Sequence, residues 1–346
     1  MKFLAICDPT RYDRPPLDVP TFYQRLSEKK GIDFFHIPSD RVFDNPFYSP
    51  QIQVAPVSGE LSYERFIKLG DFAHHPISLE EIDLIFCRTL KPFPPGYLNQ
   101  LQNWEQFVQF VNSPTGKKEQ IQPDFLLKVA SSFIPSTIIT ADWQEALDFF
   151  TQNNHIIIAK QANSCGGRGV FKIEYRDGKF QVDNFLAGVR EFANFAEVMH
   201  YMQKSSGDSL ILMKYLSRVG AGDKRIVVVD GEIYGAYIRR SASGHWINNV
   251  SGDGECFLAE ITAEEKEAIA ATVGAYRDRG LHTLGYDFLM DETGTWRISE
   301  INAGNIGGFA RLELLTGQPV MERFFAWLQE YARRPRVDRG IVLRAS

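Results

Sequence analysis

The chain has 346 residues, 44% of them hydrophobic, enough for two or three domains around a sizeable core, which excludes disorder and collagen-like repetition. Lys plus Arg number 38 against 43 for Asp plus Glu, a formal net charge of -5, so no global basic field is available to hold a nucleic-acid backbone. Cys7, Cys87, Cys165 and Cys256 are scattered without a CxxC pair, and no apolar run has signal-peptide or membrane-spanning length, so the reading is a soluble cytoplasmic protein with reduced thiols and no membrane partner.

KFLAIC, from residue 2, reads as a short buried strand. Residues 20–30 carry Phe22 and Leu26 at helical spacing, and DFFHI follows as a second strand. Residues 43–76 are rich in aromatics and Pro with weak periodicity, which suggests a long loop. IDLIFC, residues 82–87, is apolar enough for a strand covered on both faces. Residues 1–115 are therefore expected to form a parallel α/β layer. At NSPTGKK, from Asn112, Pro, Gly and charge collect as they do where one domain hands over to the next.

A central module is expected over residues 116–212. PSTIIT is a strand, 142–152 an amphipathic helix and HIIIAK a strand that leads through NSCGGRGV into FKIEY, with RDGK as a hairpin turn. The last module, 213–346, begins with the apolar run LILMKYL. RIVVVDGEIYGAYIRR is a hairpin turning at Asp230-Gly231, and Thr262 with Glu265 forms a capping box for a helix ending near Gly280. HTLGYDFLM and TWRISEIN are two strands joined at 291–294, and a final helix over 319–333 precedes a basic tail.

Three features could carry chemistry. Lys160 ends a strand, and Gly166, Gly167 and Gly169 follow within ten residues. Glycine amides can approach phosphate oxygens closely and lysine supplies a point charge, although an ordinary glycine-rich hairpin has the same composition. Second, alternation puts Glu300 and Asn302 on one face of a strand, and the hairpin partner brings Asp287 alongside. Two carboxylates and an amide oxygen are hard ligands suited to Mg²⁺; the bland alternative is a solvated face paired with Arg297 or Arg311. Third, Lys224, Arg225, Arg239 and Arg240 converge at one end of the Asp230-Gly231 hairpin, either as anion-binding forks or as a solvated rim.

In this order the features resemble the ATP-grasp fold (α/β, or α+β), and within it the bacterial glutathione synthetases. The resemblance is carried by CDP and DVPTF, IDLIFCRTLKPF, NSP, IIIAK to GGRGV, MKYL, GDKRIVVVDGE, and GYDFL to SEIN. It implies an N-terminal substrate domain and two subdomains that enclose ATP. It further implies that Lys160 binds ATP phosphate under the Gly166–Gly169 loop, and that Met213, Lys214, Tyr215 and Leu216 line the adenine. By the same resemblance Arg225 contacts phosphate, Asp287, Glu300 and Asn302 hold Mg²⁺, and Arg239 or Arg240 faces the acyl phosphate or its precursor. Asp8, Arg88 and Asn305 are the expected substrate contacts, with the acid gripped between Arg88 and the arginine rim beyond the strand ends.

Some positions depart from the family pattern. Arg88 is followed by TLKPFPP where the family has RKDPPFD; Asp124 stands near the place of an expected lysine, with Lys117, Lys118 and Lys128 as displaced candidates; and Gly304 and Asn305 replace Thr and Ser. The family's second glycine loop is matched loosely by residues 248–254. Cys165, Cys256 and His245 read as incidental rather than nucleophile or base. The activity implied is an ATP-dependent carboxylate–amine ligase using Mg²⁺ and small acid and amine substrates, γ-glutamylcysteine and glycine first. The alternatives are a ligase for another peptide or metabolite, as in ribosomal-protein glutamate ligases, and a catalytically silent nucleotide-binding subunit. A homo-oligomer is expected because related enzymes are often dimers or tetramers.

Overall fold

The computed structural model of the chain describes residues 1–12, 18–44, 49–162, 168–184, 186–203, 207–241, 246, 255–304 and 306–335. The N-terminal part runs β1 (Lys2–Ile6), α1 (Asp18–Ser27), β2 (Asp33–Ile37), β3 (Gln51–Val57), α2 (Tyr63–Ile67), β4 (His75–Ser78), β5 (Leu84–Cys87), α3 (Tyr97–Trp104) and β6 (Phe110–Val111). Their order in the sheet is β4-β3-β2-β1-β5-β6. Strand alternation divides KFLAI between two cores: Phe3 and Ala5 face α1, while Leu4 and Ile6 face Tyr97, Leu101 and Trp104 of α3. The sheet is mixed rather than parallel, because β3 pairs antiparallel with β2 and β4. The loop expected over 43–76 thus holds β3, α2 and the start of β4. Pro56 hid that strand, yet β4 pairs only with residues 51–54, so the missing N–H at Pro56 faces no strand on that side.

α4 (Pro114–Gln120) and α5 (Phe125–Ala130) precede the central sheet, whose elements are β7 (Thr137–Thr140), α6 (Trp143–Gln152), β8 (Ile156–Gln161), β9 (Val170–Arg176), β10 (Lys179–Asn184), β11 (Gly188–Phe192), α7 (Phe195–Met202) and β12 (Leu210–Lys214). The order is β11-β10-β9-β8-β12-β7. α6 and α7 cover one face, packing Phe149, Phe150, Phe195 and Met199 on Ile157, Ile173 and Leu212. β12 runs to Lys214 and so straddles the expected boundary at 212. α4 and α5 also lie outside the central module: Gly116 of α4 abuts Arg279, and Phe125 and Ala130 of α5, with Ile134 after it, pack with Ile226 and Tyr286 of the third sheet and with Tyr276 beside it.

That third sheet, β15-β14-β13-β16-β17, is built from β13 (Asp223–Val229), β14 (Glu232–Arg240), β15 (Glu255–Leu258), β16 (Thr283–Met290) and β17 (Trp296–Asn302), with α8 (Ala263–Arg277), α9 (Phe309–Thr316) and α10 (Val320–Arg333). Asp230 and Gly231 both have positive φ, as a two-residue hairpin turn requires. Thr262 and Glu265 make the capping box of α8. α10 carries Phe324 and Phe325 against Phe22 and Phe86, so the first sheet and the last helix share one core.

Two polar clamps join the first sheet to the third. Asn112 donates to the carbonyls of Thr283 (2.9 Å) and Ala303 (2.8 Å) and accepts from the backbone N–H of His282 and Thr283, both at 2.8 Å. The Asp18 carboxylate of α1 accepts from the N–H of Gly308 and of Ala310 at the start of α9.

Candidate active site

The register of β16 on β17 pairs Asp287 with Glu300 and Gly285 with Asn302, with an irregularity just beyond Asp287. Asp287 is 2% exposed, and both its oxygens are occupied by cations from neighbouring strands. Oδ1 accepts from Arg225 Nε (2.5 Å) and Arg239 Nη2 (2.7 Å); Oδ2 accepts from Arg225 Nη2 (2.7 Å) and Asn302 Nδ2 (3.0 Å). Burial alone would raise this carboxyl, but the two guanidinium groups outweigh burial and hold it below its ordinary value. Gly285 makes room for the arrangement, since a Cβ there would sit 2.9 Å from Arg225 Nη1.

Alternation along β13 and β14 splits the expected rim of four cations. Arg225 and Arg239 turn toward Asp287. Lys224 turns to the opposite face, where its Nζ pairs with Glu265 at 2.8 Å and stands 4.2 Å over the ring of Trp296. Arg240 is exposed, beside the ring of Phe257 and 3.3 Å from the Ala221 carbonyl. Of the pair Arg239 or Arg240, only Arg239 therefore reaches this cluster. The reading from sequence missed Asp223, which accepts from Arg239 Nη2 at 2.8 Å and is pushed up to about 6 by burial, against the pull of Arg239. Its place two residues before Arg225 on the same strand was the available signal.

Lys160, on β8 of the central sheet, crosses to the third sheet and donates from Nζ to the Ser299 carbonyl at 2.9 Å. Burial lowers its pKa, opposed by Glu300, Asp287 and Asp223. Gly169 is buried at the start of β9, its carbonyl accepting from Gln161 N–H at 2.8 Å. Gly166, Gly167, Cys165, His245, residues 248–254, Asn305 and the tail from 336 lie outside the described residues. At the end of β12, Met213 and Leu216 are buried, Lys214 is ion-paired with Glu292 in the β16–β17 turn, and Tyr215 lies 5.9 Å from Lys172 Nζ.

Among the three displaced lysines, Lys118 and Lys128 are exposed, and Lys128 pairs with Asp124 on its own helix at 2.6 Å. Lys117 is 7% exposed, and its Nζ donates to Gln120 Oε1 at 2.6 Å. Gly116 fixes its position: a Cβ there would collide with the Arg279 carbonyl, so only glycine lets α4 pack this close to the end of α8. Burial and then Lys91 lower the Lys117 pKa to about 7, opposed by Glu300. Unfolded, this lysine keeps its proton up to its ordinary value of 10.5. The unfolded chain therefore binds more protons between the two values, and the destabilisation is complete below about 7 and gone above about 10.5. Stability measured by urea titration should rise from pH 7 toward pH 10 in the wild type, and Lys117→Met should lack that increment.

The expected substrate contacts of the first sheet are placed differently from an open grip. Asp8 follows β1, and its carboxylate accepts from the Ser39 N–H (2.9 Å) and hydroxyl (2.8 Å). Arg88 follows β5 and is 2% exposed; its Nη2 donates to the Ile306 carbonyl at 2.8 Å, and its guanidinium lies 4.8 Å from the Phe86 ring. It is a strut between the first sheet and the loop before α9.

Residues 125–317 match the family described as prokaryotic glutathione synthetase, ATP-grasp domain. The glutathione synthetase of Brucella melitensis is 26% identical over 317 residues, covering 89% of this chain and 91% of that protein. That of Agrobacterium fabrum is 28% identical over 301 residues, 85% of each. Among solved structures, D-cycloserine synthetase DcsG superimposes with a TM-score of 0.64 at 12% identity, covering 96% of this chain and all of that one. The VanG D-Ala:D-Ser ligase from Enterococcus faecalis gives 0.63 at 13%, covering 95% and 99%. These likenesses show the ATP-grasp fold. No helix among the described residues is long and apolar enough to cross a membrane.

Proposed function

The chain belongs to the prokaryotic glutathione synthetase ATP-grasp family, and from that premise we propose that it is an ADP-forming ligase that joins γ-glutamylcysteine to glycine. The observation that carries this reading is the meeting of Lys160 from the central sheet with the Asp287, Glu300 and Asn302 strands of the third. Two separately built sheets thereby converge on one acidic, cation-lined point, as phosphoryl transfer needs. The donor set fits Mg²⁺, since Glu300 stands opposite Asp287, Asn302 lies two residues further along the same strand, and the buried Asp287 already demands positive charge, here met by Arg225 and Arg239. Bound to Asp287, Glu300 and Asn302, the metal would neutralise phosphate oxygens.

A carboxylate acylates poorly because its leaving group is oxide. In the first step a carboxylate oxygen bonds to the γ-phosphorus as the bond to ADP breaks. In the second the amine forms the C–N bond, phosphate leaves, and the amine's proton passes to solvent. The residues align and neutralise: Arg225 and Arg239 supply fixed positive charge at the transferring group, Asp223 holds Arg239 in place, and Lys160 with the glycine loop holds the nucleotide phosphates. The end of β12, Met213 to Leu216, forms the adenine wall. The three units that do this are the first sheet, the central sheet through Lys214, and the third sheet together with α4 and α5.

Lys160→Ala should weaken binding of a non-hydrolysable ATP analogue by about 1.5–3 kcal/mol, the worth of a charge-assisted contact; unchanged affinity in calorimetry rejects the phosphate role. The function is tested by ADP release with γ-glutamylcysteine and glycine, each omitted in turn. Dependence on both supports the reading. ADP release with other amino acids but not with this pair moves the assignment to another peptide or metabolite, a reading favoured by Gly304 and Asn305 in place of Thr and Ser.

A further inference from the structure

Lys117 is a buried cation whose hydrogen-bond partner is neutral. Arg225, Arg239 and Lys224 each have a carboxylate within 3 Å, whereas Lys117 has only the neutral Gln120 amide oxygen and no ion pair among the described residues. The charged groups whose fields act on it are Lys91, from the segment after β5, and Glu300 of β17. Burying a charge without a counter-ion is costly, so the site calls for an anion.

The space for that anion is a cavity of about 30 Å³ in the seam between the first and third sheets. It is lined by Lys117, by Cys87 and Thr89 at and just beyond the end of β5, by Tyr97 of α3, and by Ala303 and Gly304 beyond β17. The Thr89 and Tyr97 hydroxyls are paired with each other at 2.8 Å, and the Asn112 side chain is spent on backbone, so Lys117 is the charged group of the lining. Gly304 keeps the ammonium accessible, because a Cβ there would come within 3.2 Å of Nζ. The volume admits a group the size of a carboxylate and not a nucleotide. Gly304, which lines it, lies two residues after Asn302 of the proposed metal site.

We propose that Lys117 and this cavity bind the free carboxylate of an amino-acid or peptide substrate, the one that is not activated, and so orient that substrate toward the phosphoryl site. The proposal rests on the ligase reading above and extends it to a carboxylate-selecting residue. It also assigns the substrate seam to α4 and β5, instead of to Arg88.

The test compares the wild type with Lys117→Met, which keeps the length of the side chain and removes the charge, and with Lys117→Arg. KM is measured for γ-glutamylcysteine and glycine, and calorimetry follows a non-hydrolysable ATP analogue with Mg²⁺. Lys117→Met should raise KM for one of the two substrates at least 10-fold, leave analogue affinity within 2-fold, and unfold no earlier on heating; Lys117→Arg should restore part of the loss. The wild type should also prefer that substrate over its carboxamide at least 10-fold, and the Met variant should not. Unchanged KM values overturn the proposal, as does a parallel loss of analogue affinity, which would make Lys117 a phosphate ligand. If the wild type turns over neither substrate, the glutathione reading fails separately. Thermal shift with acetate against acetamide then decides the site: stabilisation by acetate alone, lost in Lys117→Met, supports it, and equal behaviour of the two overturns it.

Discussion

Glu300→Gln is expected to abolish turnover while leaving stability near that of the wild type, whereas Asp287→Asn should lose turnover and about 3–5 kcal/mol of stability together. Each change removes one formal charge from the proposed Mg²⁺ site, but the two carboxylates sit differently. Glu300 is exposed at the end of β17. Asp287 is the shared counter-ion of Arg225 and Arg239, so neutralising it leaves two buried guanidinium groups with Asp223 alone. The purified variants should be compared by ADP release at saturating Mg²⁺ and by urea unfolding. Near-normal activity of Glu300→Gln would remove that residue from metal binding, and wild-type stability of Asp287→Asn would show that the arginines have other partners.

The second large effect belongs to a residue that touches no substrate in this scheme. Asn112→Ala removes four hydrogen bonds at once and strands the N–H groups of His282 and Thr283 and the carbonyls of Thr283 and Ala303 in a buried seam. An unsatisfied buried group costs about 1–3 kcal/mol, and partial relaxation brings the expected total to about 3–5 kcal/mol. The urea midpoint should fall with little change in slope. A loss below about 1 kcal/mol would mean that the seam admits water or rearranges. Because Ala303 directly follows the β17 residues Glu300 and Asn302, the variant should also raise the Mg²⁺ concentration needed for half-maximal activity.

Much of this arrangement is legible in the chain itself. KFLAIC, HIIIAK, the Asp230-Gly231 hairpin and the two late strands declare themselves through apolar runs and turn residues; period-two spacing puts Glu300 and Asn302 on one face, and the hairpin turn brings Asp287 alongside. What escaped has physical causes. Pro56 masked β3 because a proline in a strand is tolerated only where its missing N–H faces no partner, and that depends on where β4 ends. Lys117 and Lys118 are identical as letters; which one is buried follows from a helix packed against the Arg279 carbonyl, a distance no local pattern encodes. Arg88 reads from its strand end as a substrate grip, and only the packing of the loop before α9 turns it into a strut. Likewise, α5 follows the handover at Asn112 in sequence, yet its Phe125 and Ala130 find their partners on and beside the third sheet.

The aromatic layer shared by α1, β5 and α10 bears on how the protein is made. Phe22 and Phe86 are synthesised early, but their ring partners Phe324 and Phe325 lie at the far end of the chain. The face of the first sheet that α1 packs on therefore lacks the rest of its cover on the ribosome until residues 320–333 have emerged. The other face, packed against α3, can close as soon as Trp104 and Phe110 are available. The half-covered sheet must wait out translation of both later sheets with apolar surface open to chaperones or to itself, so slowing elongation, or losing the last helix, should divert the nascent chain toward aggregation before any ligase chemistry is at stake.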